Sequence, residues 1–437
     1  MTAPRALLIL VMGIYLAAGA AFSVVFPLGE GPDEPAHFAY VQYVARHVAL
    51  PVLKPNYLEN TSVEAYQAPL YYVMGAVLTF PWMGTDPAVS FDPPTGEKRP
   101  LFSHTAEAAF PWSGGTLAWH LLRFFSLALG ACSLLASYGI LFWFFDSQWL
   151  ATAGTAYLAL NPQFIYMHSL VSNDSMAILA GTLLLLYIVR AAQDPARLEP
   201  FIAGLALTFA LLSKASVPLL AGGLAYLLWL RRSQLASSWP HGLRNFARLA
   251  AAPVLLAGWW LVRNLWLYGD LTGASMSMRV VPENHYPTPL GTLEFLRLLP
   301  EIIQATFRTS WATFGWMGFE LPRRISNAIA IVHLAAWGVV LLSIRPKMLR
   351  CHSAVALTLS ALGLLAGFCY YNTFTNQAGW QGRLLFPAAS IAAVVFVAGW
   401  RRFFPGRDAW AAALLVTAEM ALLAHVFFSI VLPTFAG

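Results

Sequence analysis

Charge is what this 437-residue chain has least of. Asp, Glu, Lys and Arg make up 11% of it, against about 25% in a soluble domain. With 58% hydrophobic residues and a mean hydropathy of +0.62, the shortage excludes a soluble globular protein and leaves a polytopic membrane protein. Cysteine is scarce as well. Cys132, Cys351 and Cys369 lie in or beside apolar runs without metal-type spacing, and read as small packing residues. Missing motifs remove further classes. There is no GxxxxGK[ST] loop, no HExxH and no GxSxG elbow, so a P-loop ATPase, a zinc protease and an α/β-hydrolase are out. The net charge of +6 has no basic cluster alternating with aromatics, so no nucleic-acid partner is implied. No internal repeat and no chain of intramembrane acids is present (Glu419 alone is deep), which argues against a secondary transporter.

What the chain does have is long apolar runs. Eleven are long enough, or nearly so, to cross a bilayer: about 6–27, 117–145, 149–169, 174–190, 200–213, 215–230, 249–267, 325–344, 352–371, 384–400 and 409–431. No small-x-small cleavage site follows the first, which reads as a retained span. The fifth and sixth are short and are split by Lys214. Counting them as two places 13 Lys/Arg and four acids on one side of the membrane, and 13 Lys/Arg and 15 acids on the other. The positive excess marks the first side as cytoplasmic, with the N-terminus. The expected fold is therefore an all-α polytopic protein, a single integral-membrane domain over 1–437. Two long outside loops, 28–116 and 264–324, carry amphipathic pieces suited to interfacial helices. The stretch 84–100 reads as a flexible loop.

The few charges cluster. "GPDEPAHFAY" (31–40) follows the first span on the outside. Pro32 suits a helix start, and Asp33 and Glu34 suit its first turn. A solvated helix start accounts for the two acids but not for His37, one turn on and on the same face. A carboxylate and an imidazole so placed can share a proton, orient one another or help hold a divalent cation. A general base that activates a hydroxyl is the simplest role for Asp33. Asp174, in "SLVSNDSMAIL", is a second acidic point on that side, although an N-cap there needs no function. Arg123, Lys214, Arg263 and Arg383 stand at the outside ends of spans. Snorkelling accounts for any one of them; four beside two acidic points suggest a site for a phosphate or pyrophosphate.

Together "PDEPAHF", "YQAPLYY", "LLRFFSLALG", "SNDSMA", "LLSKAS", "VRNLWLYGD" and "QGRLLFPA" resemble, in order, the GT-C superfamily of polyprenyl-phosphate-dependent glycosyltransferases. The resemblance is to the branch related to protein O-mannosyltransferases and the lipid A aminoarabinose transferase. It implies a catalytic acid at Asp33 with Glu34 its neighbour, a second acidic site at Asp174, and a lipid phosphate held by Lys214, Arg263 and Arg383. It leaves a divalent metal open as cofactor, with Asp33 and Asp174 as candidate ligands. Many relatives continue into a large periplasmic domain. Here acceptor recognition falls to the loops or to a partner protein.

Two functional readings follow. The first is an inverting glycosyltransferase at the outer face of the cytoplasmic membrane, with a polyprenyl-phosphate-linked sugar as donor and membrane lipids around it. Asp33 takes the acceptor proton, Glu34 and His37 orient it, and Arg123, Lys214, Arg263 and Arg383 hold the phosphate. The second is a non-catalytic integral subunit or lipid-binding protein on the same scaffold. The readings part on whether Asp33 faces open space with Lys214 and Arg383 beside it.

Overall fold

The computed structural model describes residues 2–56, 59–93, 99–345 and 350–436. Every expected apolar run is helical. Eight helices are long and apolar enough to cross a membrane: α1 (Ala3–Val25), α4 (Gly114–Phe145), α7 (Asp174–Gln193), α10 (Trp239–Tyr268), α12 (Arg323–Leu342), α13 (His352–Asn372), α14 (Gly382–Phe403) and α15 (Asp408–Phe435). The pair about Lys214 is α8 (Pro200–Ser213) and α9 (Val217–Leu230), both shorter than a full span. Lys214 sits between them in an extended conformation, φ −164°, and ends α8.

The run at 149–169 departs from expectation. It is two helices, α5 (Gln148–Ala159) and α6 (Pro162–His168), and not one span. Asn161 caps α6 by accepting a hydrogen bond from the Phe164 amide, and Pro162 follows in its first turn. Asn-Pro is a turn signal, and the proline ring removes the amide a continuous helix needs. These helices form the core. Every residue from Leu150 to Thr182 is buried, and Ala, Ser, Thr and Gly recur among them, which lets neighbouring helices approach closely.

The two long loops contain helices, as their amphipathic pattern suggested. The first holds α2 (Glu34–His47) and α3 (Leu70–Trp82), and the second holds α11 (Thr292–Thr309). Each also contains a two-residue antiparallel ribbon that an all-α reading omits: β1 (Ser90–Phe91) with β2 (Phe102–Ser103), and β3 (Thr313–Phe314) with β4 (Phe319–Glu320). The flanks of the expected flexible stretch 84–100 are thus paired, while its residues 94–98 lie outside the described ones. Residues 346–349 of the basic segment 345–350 do so as well. The packing role expected of the cysteines does not hold for Cys132 and Cys351, whose side chains are exposed.

α7 and α14 meet at Gly181. A Cβ there would lie 2.5 Å from the Pro387 carbonyl oxygen, so only glycine allows this approach. The contact brings the start of α14, with Arg383, against the start of α7, with Asp174.

Candidate active site

The "PDEPAH" stretch folds differently from a simple helix start. α2 begins at Glu34 with Pro35 in its first turn, two residues later than Pro32 suggested. Asp33 is the boundary residue, in the left-handed region at φ 62° and ψ 1°. That conformation is uncommon for a residue with a Cβ and costs on the order of 1 kcal/mol or more, so the surroundings must hold it.

Glu34 and Arg123 supply the hold. Both side chains are fully buried, and Arg123 pairs with Glu34 twice, Nε to Oε1 at 2.8 Å and Nη2 to Oε2 at 2.7 Å. Glu34 also accepts from Trp119 Nε1 and from the Val171, Gly29 and Gly31 amides. Arg123 donates further to the carbonyls of Ser23, Phe26 and Pro27, at and just beyond the end of α1, where helix carbonyls lack intrahelical partners. The knot fastens α1, α2, α4 and the 170–174 segment together. Burial disfavours ionisation of Glu34, but Arg123 together with the hydrogen bonds from Trp119 and Val171 outweighs it and holds the carboxyl below its ordinary range. The expectation placed Glu34 with the catalytic acid and Arg123 at a phosphate; the structure turns both inward, with their charges spent on each other.

Beyond the knot stand two carboxylates and two cations. Arg383 Nη2 donates to Asp33 Oδ2 at 2.7 Å, and its Nη1 lies 3.6 Å from Asp174 Oδ2. Lys214 Nζ donates to Asp174 Oδ1 at 2.5 Å. One guanidinium therefore bridges acids that are 141 residues apart in the chain. Asp33 is the accessible member, its side chain 39% exposed against 6% for Asp174. Burial works against the charge on Asp33, while Arg383 and then His37 favour it, and the carboxyl ends below its ordinary value.

His37 is buried and bonds through Nδ1 to the Tyr72 hydroxyl at 2.8 Å, not to Asp33. Burial pushes its pKa down to about 4, aided by Lys214 and Arg383 and opposed by Asp33 and Asp174. The ring is neutral at pH 7 and serves as a polar wall. Arg263 stands outside the group. It donates to the Pro51 carbonyl at 2.7 Å and lies over Trp260, its Cζ 5.1 Å from the ring centre.

One residue escaped the sequence reading. Burial raises the Glu64 carboxyl to about 7, with the charge of Asp33 adding to the rise and Lys214, Gln67 and Arg383 opposing it. Gln67 donates to Glu64 and accepts from Asn173 Nδ2 at 2.7 Å, linking Glu64 to the neighbour of Asp174. The signal was in "EAYQAP", where an acid and an amide stand three residues apart just before the apolar run "LYYVMGAVL".

The donor set does not favour a metal as it stands. The guanidinium fills the space between Asp33 and Asp174, and among the described residues no three His, Cys, Asp or Glu side chains converge.

The chain matches a family model over part of its sequence and solved structures through its fold. The family model described as dolichyl-phosphate-mannose-protein mannosyltransferase matches residues 115–259, which include Asp174 and Lys214. ArnT from Cupriavidus metallidurans bound to undecaprenyl phosphate superposes at a TM-score of 0.52 with 11% identity, over 98% of this chain and 73% of that one. Its apo state gives 0.52 with 13% identity, over 100% and 74%. The oligosaccharyltransferase of Archaeoglobus fulgidus, in complex with Zn and sulfate, gives 0.53 with 13% identity, over 98% of this chain and 53% of that one. The fold is GT-C. The resemblance carried by the ordered motifs is thereby borne out, and the chain is a multi-pass membrane protein. It spans about three-quarters of the ArnT chain and about half of the oligosaccharyltransferase. No curated protein matches the chain in sequence.

Proposed function

We propose that this GT-C protein transfers a sugar from a polyprenyl-phosphate donor to an acceptor hydroxyl, with inversion, at the outer face of the cytoplasmic membrane. The single observation that carries the reading is the Arg383 bridge, with Lys214 beside it. It holds two cations in place next to one accessible carboxylate. Lys214 has three N–H donors and spends one on Asp174, so it retains donors for a phosphate.

In the reaction, the acceptor oxygen attacks the anomeric carbon on the face opposite the phosphate. The bond from that carbon to the phosphate oxygen breaks, and its electron pair leaves with the phosphate. Lys214 and Arg383 stabilise the charge that develops there. Asp33, ionised at neutral pH, takes the acceptor proton, and its charge favours the positive character of the sugar ring in the transition state. Glu34 and Arg123 act through Asp33 by fixing its backbone. The presence of undecaprenyl phosphate in the structurally similar ArnT supports a lipid-linked donor. Loops 28–116 and 264–324 form the outside face in this reading.

The test is transfer from a synthetic undecaprenyl-phosphate sugar by purified protein in lipid. Asp33→Asn keeps the size of the side chain and the capacity for left-handed backbone, so it should fold and still bind undecaprenyl phosphate while losing transfer. Wild-type rates in this variant would remove Asp33 as the base.

A further inference from the structure

A cavity of about 370 Å³ lies at the outer end of α1, apart from the Asp33 group. Its walls are the end of α1 (Val24, Val25, Phe26), the crossing segment 104–112 and His120 of α4, one turn before Arg123. We propose that it binds a long-chain amphiphile carrying a hydroxyl, drawn from the surrounding bilayer.

The lining is mostly apolar, with imidazoles as its main polar groups. His104 Nε2 lies 3.0 Å from the carbonyl oxygens of both Val25 and Phe435. Carbonyls only accept, so Nε2 carries the hydrogen and the neutral ring leaves Nδ1 as a lone-pair acceptor. His120 is 4% exposed, is stacked on Trp112 at 3.7 Å between ring centres, and has a buried Nδ1 with no partner. An unpaired polar atom at such burial is costly, and a ligand hydroxyl meets the need of two imidazoles better than an anion does. The route of entry sets the source. Val24 is 46% exposed and shares a face of α1 with exposed Ile9, Leu10 and Leu16, so this wall looks into the bilayer. Phe110, 79% exposed, also lines the cavity. The space suits one hydrocarbon chain end with its head, not a whole two-chain lipid.

The wall is also joined to the catalytic side: the Phe26 carbonyl accepts from Arg123, which holds Glu34. The site does not depend on the sugar-transfer reading, and its test measures binding alone. Purified full-length protein in nanodiscs is photolabelled with a diazirine-bearing octadecanol and, separately, with its methyl ether. Labelled peptides are located by mass spectrometry. Labelling should concentrate on 24–28 and 104–112, saturate with unlabelled octadecanol, and fall several-fold in Ala108→Trp, which fills the cavity from its loop wall. The alcohol should label about 2- to 10-fold more than the ether, the worth of one hydrogen bond, and His120→Phe should erase that preference while keeping the ring stack. Labelling that fails to saturate, or that ignores Ala108→Trp in a protein of unchanged melting temperature, overturns the site. Equal labelling by alcohol and ether overturns the hydroxyl assignment.

Discussion

Lys214→Gln separates a phosphate ligand from a helix breaker. Lys214 ends α8 in an extended conformation, and glutamine, polar and of similar length, adopts that backbone as readily. If Lys214 only interrupts an apolar run, the change should leave donor binding alone. If it holds the donor phosphate, a charge-assisted bond is lost in a partly desolvated place, its side chain being 18% exposed. That loss is about 1.5–3 kcal/mol, or about 10- to 150-fold in affinity. The variant also takes a cation from Asp174, which is 6% exposed but keeps Arg383 Nη1 at 3.6 Å. The remaining partner limits the cost in stability to about 1–3 kcal/mol. Asp174→Asn/Lys214→Gln separates the two effects: it should restore stability without restoring affinity. The assay is undecaprenyl phosphate binding to purified protein across a salt series, with melting temperature alongside. An affinity within twofold of wild type would return Lys214 to a structural role and leave Arg383 as the only cation supporting the site.

Three further outcomes are expected. Glu34→Gln breaks a buried ion pair in which Glu34 also accepts from four other partners and should cost about 3–5 kcal/mol, read as a large fall in melting temperature; because the Glu34 carboxyl is held low, its contribution is present above pH 4.5 and fades as pH falls through the folded-state value, so the variant should lose the acid limb of the wild-type stability curve. Glu64 titrates near 7, is neutral below and charged above, and so undecaprenyl phosphate should bind more weakly as pH rises through 7; Glu64→Gln should flatten that slope, and an unchanged slope would separate Glu64 from the anion site. In a background lacking Cys132, Cys351 and Cys369, cysteines at Ser103 and Thr288 should react with a membrane-impermeant thiol reagent in cells whose outer barrier is opened, and one at Ser237 only after lysis; labelling of Ser237 in intact cells would reverse the orientation.

Much of the architecture was legible because apolar length is written in the chain itself. All eleven runs are helical, and Lys214 does separate two short helices. The break at Asn161-Pro162 was also written there, but the surrounding run was apolar enough to conceal it. The site divides by kind. Asp33, Asp174, Lys214 and Arg383 were found as charges at span ends, and the fold brings those four together. Arg123 and Arg263 met the same criterion and do other work. A cation at a span end looks alike in sequence whether it faces a headgroup, a ligand or a buried acid, and only the partner decides. Arg123 found Glu34, 89 residues away, and Arg263 found a carbonyl and an indole. Glu64 was missed because its character comes from burial near Asp33, Lys214 and Arg383, which neighbouring residues in the chain do not reveal.

The Arg383 bridge also bears on turnover. Asp33 and Asp174 together balance Lys214 and Arg383, so the resting group of four carries no net charge. In the proposed reaction the donor is a phosphodiester with one negative charge, and the departing lipid phosphate is a monoester that approaches two near neutral pH. A purely basic pocket would grip that product more tightly than the substrate and stall with each cycle. With its cations shared with carboxylates, this one still attracts the charge that develops on the leaving phosphate but holds the finished dianion less tightly than unshared cations would, and the spent carrier can leave.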